Sequence, residues 1–587
     1  MSVWDWIYKY FEKPGKYVLR VYRNLPRDVR KSGIHLHPEV YASFIVFATI
    51  LVTAVVIALG VFLFRAALYT VIPVITVIPF FTFLILVYLP AAIASNRAGG
   101  LEGELPYTAS YLSMLVISGL SPYIAFERIV RASRIFVKSS ELAQRFVLLV
   151  KIFGKDPLSA FATISERTPS VTARDLLMGF VTTVKAGGDV VDYLNKKARL
   201  LFSELLVSIK IIADRLGSLL EAYLALVLLT TIAFSTMYFV TVSLAAAVPF
   251  GISSETMALI LYTLLPFVSG AVMLFADALQ YKEPVRDNKP YIVFSGISLP
   301  VLLFLAIFGY MIPALLPPTH PFVANPMVQF TRALLVFPMS YVNVPDFLES
   351  YIAISMAIIY SLIPSVIYTE IRFRKYKIIS GITRFMRDLV EIRKTGFSIE
   401  KGIIELSRRD YGLFTPYLEK LALYINLGLP LSRVLNWILN KIPVWRGKML
   451  LYMLADAIEV GGGTIDVLET LAWFAESVEA LEEEKRKNLR TLLIVPYMGS
   501  ILTAISIIVL AIFLGTQVTV SGAYKLAALT TLPAIVLNSF IMGLVAGKVS
   551  AGTIAAGFKH SLALVVTNLL VALLGGYIAS GFMSIVT

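Results

Sequence analysis

Nine stretches of about 20 or more predominantly apolar residues punctuate the chain, near residues 43–64, 68–93, 217–245, 256–279, 291–313, 350–369, 491–515, 526–547 and 561–584. At 1.5 Å per residue, that is the length an α-helix needs to cross the roughly 30 Å hydrocarbon core of a bilayer. Inside the core every backbone N–H and C=O must find an internal partner, so continuous helices are what such stretches can form. Composition agrees: 58% of the 587 residues are hydrophobic and 15% charged, where soluble proteins are nearer half and a quarter. The chain reads as an all-helical polytopic membrane protein with about 250 residues left for soluble domains. A segment of some 40 residues rich in basic and aromatic side chains precedes the first span, and a second span follows at once, so the first span is not read as a cleaved signal.

The net charge of +14 serves topology rather than nucleic-acid binding. About 49 of the 52 Lys and Arg lie in segments 1–42, 94–216, 280–290, 370–490 and 548–560; the alternate loops hold only Arg65, Arg332 and Lys525. Positively charged loops stay cytoplasmic. This places the N-terminus and both large polar segments on the cytoplasmic side of the cell membrane and the C-terminus outside. The organisation is then a basic cytoplasmic N-terminal segment (1–42), two spans (43–93), a cytoplasmic domain (94–216), two spans (217–279), two spans with an external loop at 314–349 (280–369), a second cytoplasmic domain (370–490) and three final spans (491–587).

The two polar segments are nearly equal in length and repeat one another. SGLSPYIAFERIVRAS at 118 matches TGFSIEKGIIELSRRD at 395, GKDPLSAF at 154 matches GLPLSRVL at 428, and KAGGDVVDYL at 185 matches EVGGGTIDVL at 459. The order is kept and the offsets stay between about 273 and 277 residues. One duplicated unit explains all three matches, and an even number of crossings per unit makes the repeats parallel. Within the first domain, an apolar periodic stretch at 104–118 stops at Gly119. Ser121 then suits a helix N-cap with Pro122 at the first helical position. Further helices are expected from near Ser139, Pro157 and Ser170, and a last one after Gly187-Gly188 with Asp189 as cap. The second domain repeats the plan through Gly396, Ser398, Pro416, Leu431, Pro443 and Gly461-Gly462-Gly463. Neither domain carries the period-two alternation of strands. Both terminal helices, 189–215 and 464–490, are expected to run directly into spans.

Few residues nominate themselves for chemistry. Cysteine is absent and the four histidines are scattered, which removes thiol chemistry and offers no metal cluster. The glycine turns follow no strand and lack the Gly-Lys-Ser/Thr of a nucleotide loop; they read as helix C-caps. No cofactor is implied. Arg372, Arg374, Lys375 and Lys377, the pair Arg408-Arg409, and Lys485, Arg486 and Lys487 each admit two readings, membrane-surface anchors or a charged face for a cytoplasmic partner. Glu221 and Asp277 lie in or near spans, where an unpaired charge costs on the order of 3 kcal/mol; Arg215 and Lys282 are in reach as partners. A transporter or channel enclosed by the paired halves is the alternative these two acids leave open. No catalytic constellation is present in the sequence.

The helix–Gly–x–Ser–helix turn at 118–121 and 395–398 resembles the type II secretion system F domain. So do the later Gly-Gly turns, Gly187-Gly188 and Gly461-Gly462, with Asp192 and Leu194 matching Asp466 and Leu468. Pro-Leu-Ser at 157–159 and 430–432 fits as well. Two such domains with nine spans look most like the archaeal platform proteins of type IV pili or the archaellum, and a chain without cysteine and poor in amides suits a hot habitat. The resemblance implies a non-enzymatic platform for assembling a pilus-like filament. It implies as partners a hexameric secretion ATPase, bound through the cytoplasmic domains, and pilin or archaellin subunits lifted from the bilayer, with a homodimer allowed. Small residues around 543–557 would suit close approach of a pilin helix.

Overall fold

The structure is a computed structural model that describes residues 3–34, 36–63, 68–168, 170–243, 254–280, 288–317, 320–342, 344–461, 463–517 and 522–586. Every regular element among them is helical. Seven helical stretches among the described residues are long and apolar enough to cross a membrane: Val190–Met237, Tyr262–Leu279, Lys289–Ala314, Asp346–Lys394, Ile465–Ala511, Leu532–Ala551 and Ile554–Gly575. Each overlaps one of the seven predicted spans from 217–245 onward. The first two predicted spans fall on helices Pro38–Leu63 and Leu68–Ile117, whose side chains over most of 55–85 lie outside the described set. Among the described residues the count is therefore seven, not nine.

The chain gathers into two compact units. One holds residues 1–202 together with 453–471; the other holds residues 203–280, 285–452 and 472–587. In the first unit, helices Pro122–Arg131, Val137–Lys151 and Val171–Lys185 pack against the end of Leu68–Ile117, and Pro157–Arg167 packs on Val137–Lys151 and Val171–Lys185. Its centre is a run of aromatic rings: Phe126 lies 4.7 Å from Phe161, Phe161 stacks at 4.0 Å on Phe146, and Phe180 closes on Phe161 at 5.0 Å. Rings at these separations add attraction beyond their buried area. The breaks are local chemistry. Ser121, Asp156 and Ser170 accept backbone N–H groups of the helices they precede, and proline opens two of those helices, where its missing N–H costs nothing.

Helix Val137–Lys151 has no cap of its own. Glu104, fully buried on the long helix Leu68–Ile117, reaches across so that one carboxylate oxygen accepts the N–H of Lys138 and of Ser139, each at 2.9 Å. Negative charge at a helix start is favourable. Burial outweighs this and raises the Glu104 carboxyl above its ordinary range.

In the N-terminal segment, helix Val3–Val21 lays Trp4 on Phe44 at 5.5 Å and Phe11 on Phe47 at 5.7 Å. Tyr8 donates to Glu39 at 2.7 Å. Tyr10 and Tyr17 remain largely exposed on the same helix, the pattern of an interfacial amphipathic helix.

In the second unit, the copy at 378–452 packs Phe385 against Phe414 and Tyr411 above buried Ile382, Leu418 and Met449. The two terminal helices lie side by side there, with Leu205 and Ile209 packed on Leu481 and Lys210 beside Glu484 at 3.6 Å. The first is unbroken over Val190–Ser243, 54 residues. The second corrects the expectation of continuity: Ile465–Thr491 ends, and Ile494–Gln517 resumes after a turn at 492–493. Pro496 supplies the reason, since it has no N–H to give Leu492 and its ring crowds that carbonyl.

Helices Gly522–Ala551 and Gly557–Val586 meet at backbone distance. A Cβ on Gly547 would stand 1.9 Å from the nitrogen of Gly557, and one on Gly543 2.2 Å from the Cα of Ser561. The small residues around 543–557 are thus consumed by packing within the chain, instead of offering an open lateral face. Asn568 seals the same region with bonds to Ser500 at 2.9 Å and Ser539 at 2.5 Å.

Candidate partner-contact surfaces

The duplicated turn has the same geometry in both copies. Gly119 has φ +92° and Gly396 φ +93°, a backbone state L side chains rarely adopt. Ser121 accepts the N–H of Ile124 at 3.4 Å, and Ser398 that of Lys401 at 3.3 Å. The later turns differ. In the first copy Gly187 is the left-handed residue (φ +68°), Gly188 follows, and Asp189 caps the next helix through the N–H groups of Val191 and Asp192. In the second copy Gly461 is the last residue of helix Trp445–Gly461, Gly462 lies outside the described residues, and Gly463 takes φ +64°. The preceding helix runs longer there, so the turn shifts along the glycine run. Asp192 pairs with Lys196 at 2.8 Å on the surface, and Asp466 is exposed. Leu194 and Leu468, two residues on from each, are buried.

A contact the sequence did not nominate joins the copies within the first unit. Asp456, on helix Trp445–Gly461 of the second copy and 7% exposed, accepts the Tyr111 hydroxyl at 2.5 Å and pairs with the Arg128 guanidinium, both groups belonging to the first copy. Glu459 stands 3.9 Å from the same guanidinium. The available signal was a pair of acids one helical turn apart, Asp456 and Glu459, in the otherwise apolar run LLYMLADAIEV. Position 111 corresponds to Asp388 in the second copy, where the carboxylate instead takes Arg409 at 3.0 Å and the Tyr411 hydroxyl at 2.7 Å. Burial, reinforced by Asp388, holds that hydroxyl well above the ordinary tyrosine range.

The nominated cations separate by environment. Arg409 is held by Asp388, and Arg408 lies 3.4 Å from Glu405 on an exposed turn. Arg372 and Lys485 are half-buried and engaged by neighbouring groups. Arg374, Lys375, Lys377, Arg486 and Lys487 are exposed with no acidic partner among the described residues. Arg374 ends helix Glu349–Arg374, Lys375 and Lys377 form the 3-10 turn that follows, and Arg486 and Lys487 lie near the end of Ile465–Thr491.

The two acids near spans also separate. Asp277 is bound by Lys548 at 2.5 Å, and Lys548 also donates to the Gly552 carbonyl at 2.9 Å. Lys282, the partner expected from sequence, lies outside the described residues. Glu221 is exposed on helix Val190–Ser243, with no ion pair among the described residues. Among those residues no group of three or more His, Asp or Glu gathers where a metal could bind.

Comparison with known families agrees with this duplication. The family described as "Type II secretion system (T2SS), protein F" matches residues 108–237 and again residues 385–513. Each match begins in the helix before the Gly–x–Ser turn and ends inside a membrane span. Searches of curated proteins and of solved structures returned no match. With its seven apolar helices among the described residues, the chain is a multi-pass membrane protein carrying two tandem domains of the type II secretion system protein F family.

Proposed function

We propose that this protein is the non-enzymatic membrane platform of a type IV pilus-like machine, a pilus or an archaellum. In this reading it couples a cytoplasmic hexameric secretion ATPase to the extraction of pilin subunits from the bilayer. The observation that carries the reading is the pair of F domains, each followed by a helix that leads into the membrane, one of them unbroken over Val190–Ser243. A continuous helix resists bending over its length, so displacement of the domain at its base is delivered to the span. The pairing of the two terminal helices through Leu205, Ile209 and Leu481 supports a shared response of both copies. The charge distribution supports an orientation with both domains and the N-terminus in the cytoplasm and the C-terminus outside. The engagement of Asp277 by Lys548 speaks for a structural ion pair rather than a transport path.

The test is co-purification of the tagged protein from native membranes in mild detergent, with mass spectrometry of what accompanies it. A hexameric secretion ATPase and small pilin-like proteins are the expected companions. Their absence, under conditions that keep other membrane complexes whole, overturns the reading. Reversing Arg374, Lys375 and Lys377 together is expected to weaken ATPase binding without unfolding the protein. Unchanged binding assigns that cluster to the membrane surface instead.

A further inference from the structure

A basic cleft of about 340 Å³ opens in the first unit, where the N-terminal segment meets the first copy of the domain. It is built, not incidental. Helix Leu25–Ser32 ends at Gly33 in the left-handed conformation (φ +76°), and Arg97 runs under that turn to donate to the Ser32 carbonyl at 2.8 Å. A Cβ on Gly33 would strike that guanidinium at 1.7 Å. Arg97 and Lys138 share one acid, Glu141, at 3.5 and 2.8 Å. Around them stand Arg30, Lys31, Arg145 and Arg167, none with an acidic partner at ion-pair distance among the described residues. Six cations thus face one carboxylate. Lys31 registers the imbalance: partial burial, with Arg27 and Arg174 nearby, lowers its ammonium below the ordinary lysine range.

The other walls are apolar. Leu101, Leu142, Leu149 and Ile164 line the cleft, and Phe153, 70% exposed, stands at its edge beside Ile152, 72% exposed. A small hydrated anion gains nothing from such walls, whereas a phosphate carrying an acyl chain gains from both. The height in the bilayer also fits. Arg97 follows the apolar stretch 68–93 by four residues, roughly 6 Å at the rise of a helix, which is headgroup depth. The N-terminal helix that leads into the cleft carries exposed Trp6, Tyr10 and Tyr17, side chains that favour the same layer.

We propose that this cleft binds the phosphate headgroup of an anionic membrane lipid, pinning the first copy of the domain to the bilayer surface. Arg30, Lys31, Arg145 and Arg167 hold the phosphate, and the leucine-lined wall takes the start of the acyl chain. The assignment is independent of which machine the protein serves.

The test titrates fluorescent phosphatidylglycerol into the full-length protein in neutral detergent, with phosphatidylcholine in parallel. The variant is Arg145→Gln with Arg167→Gln, both exposed residues with no acidic partner among those described. At about fivefold per cation near an anionic surface, the double variant is expected to lose roughly 25-fold in phosphatidylglycerol affinity with an unchanged melting temperature. Arg374→Gln with Lys375→Gln, outside the cleft, is expected to change it less than threefold. Should the first variant fail to fold, wild type at 0.5 M salt provides the second measurement, with selectivity over phosphatidylcholine expected to collapse. Equal affinity for the two lipids overturns the proposal, as does equal loss in both variants. Displacement of the lipid by millimolar inorganic pyrophosphate, with pyrophosphate alone raising the melting temperature, overturns the lipid assignment in favour of a soluble phosphate ligand.

Discussion

Replacing Asp456 by alanine tests how firmly the end of helix Trp445–Gly461 is held against the first copy of the domain within the first unit. The Asp456 side chain is 8% exposed and its Arg128 partner 17%, so solvent screens the pair little. Removing one partner of a buried pair typically costs about 3–5 kcal/mol, because the other charge stays behind uncompensated. The residual exposure of Arg128 sets the expectation near the lower end, at about 3 kcal/mol. Tyr111→Phe removes only the hydroxyl donated to the same carboxylate, worth about 1.5 kcal/mol at the lower end for a bond to a charged group. The quantity that isolates the contact is the coupling in a cycle of Arg128→Met, Asp456→Leu and the double variant. Groups in direct contact couple by about 0.5–3 kcal/mol, and about 2 kcal/mol is expected here. Glu459, 52% exposed and 3.9 Å away, should contribute under about 0.5 kcal/mol when changed to Gln. The assay is pulse proteolysis across a denaturant series in neutral detergent, which reads the population of the opened form. A coupling below about 0.5 kcal/mol, with both single variants folded, refutes the claim that this triad holds the end of helix Trp445–Gly461 against the first copy.

Three further outcomes follow from the packing. Gly547→Ala places a methyl group against the backbone of Gly557, which cannot yield as a side chain can; thermal unfolding should show a loss of about 1–3 kcal/mol, while Gly270→Ala, with nothing within 4 Å, should be neutral or stabilising. Glu104 has a raised folded-state pKa, so its contribution is fully present below the unfolded value and is lost as pH rises through the folded one. Unfolding of Glu104→Gln across pH 4–8 should lack that slope, and Glu104→Ala, which uncaps helix Val137–Lys151, should cost about 1–2 kcal/mol. Ser121→Ala and Ser398→Ala remove equivalent caps with long bonds, and each should lower stability by about 0.5–1 kcal/mol in the same assay.

What the sequence made legible was chemistry confined to a few neighbouring residues. Gly119 and Gly396 announce left-handed turns, Ser121 and Ser398 announce caps, and both pairs stand where the pattern put them. Apolar length located the seven later spans. The misreadings share a different cause. Gly461-Gly462 looked equivalent to Gly187-Gly188, but a run of three glycines lets the turn slide, and the longer preceding helix moved it to Gly463. The break at 492–493 was visible in Pro496, whose effect falls four residues upstream inside a run that otherwise reads as helix. Lys548 was hidden as the partner of Asp277 because the two lie 271 residues apart, and a single sequence carries no pairing information at that range. The same holds for Glu104 capping a helix 34 residues away and for Asp456 reaching Arg128.

The contact through Asp456 also bears on symmetry. By the alignment of the copies, Arg128 corresponds to Glu405 and Asp456 to Thr182, so the reciprocal contact would bring an acid to a threonine. Two identical chains joined about a twofold axis must make each contact twice, and these positions cannot. The contact is therefore one-way: the first copy supplies Arg128 but has Thr182 at the other position, and the second supplies Asp456 but has Glu405, so two copies of either one alone could not form it. The covalent tether keeps the two surfaces at the high effective concentration of a linked pair. The duplicated chain thereby carries a chemical polarity, one copy bearing the arginine and the other the aspartate, which two identical copies could not have.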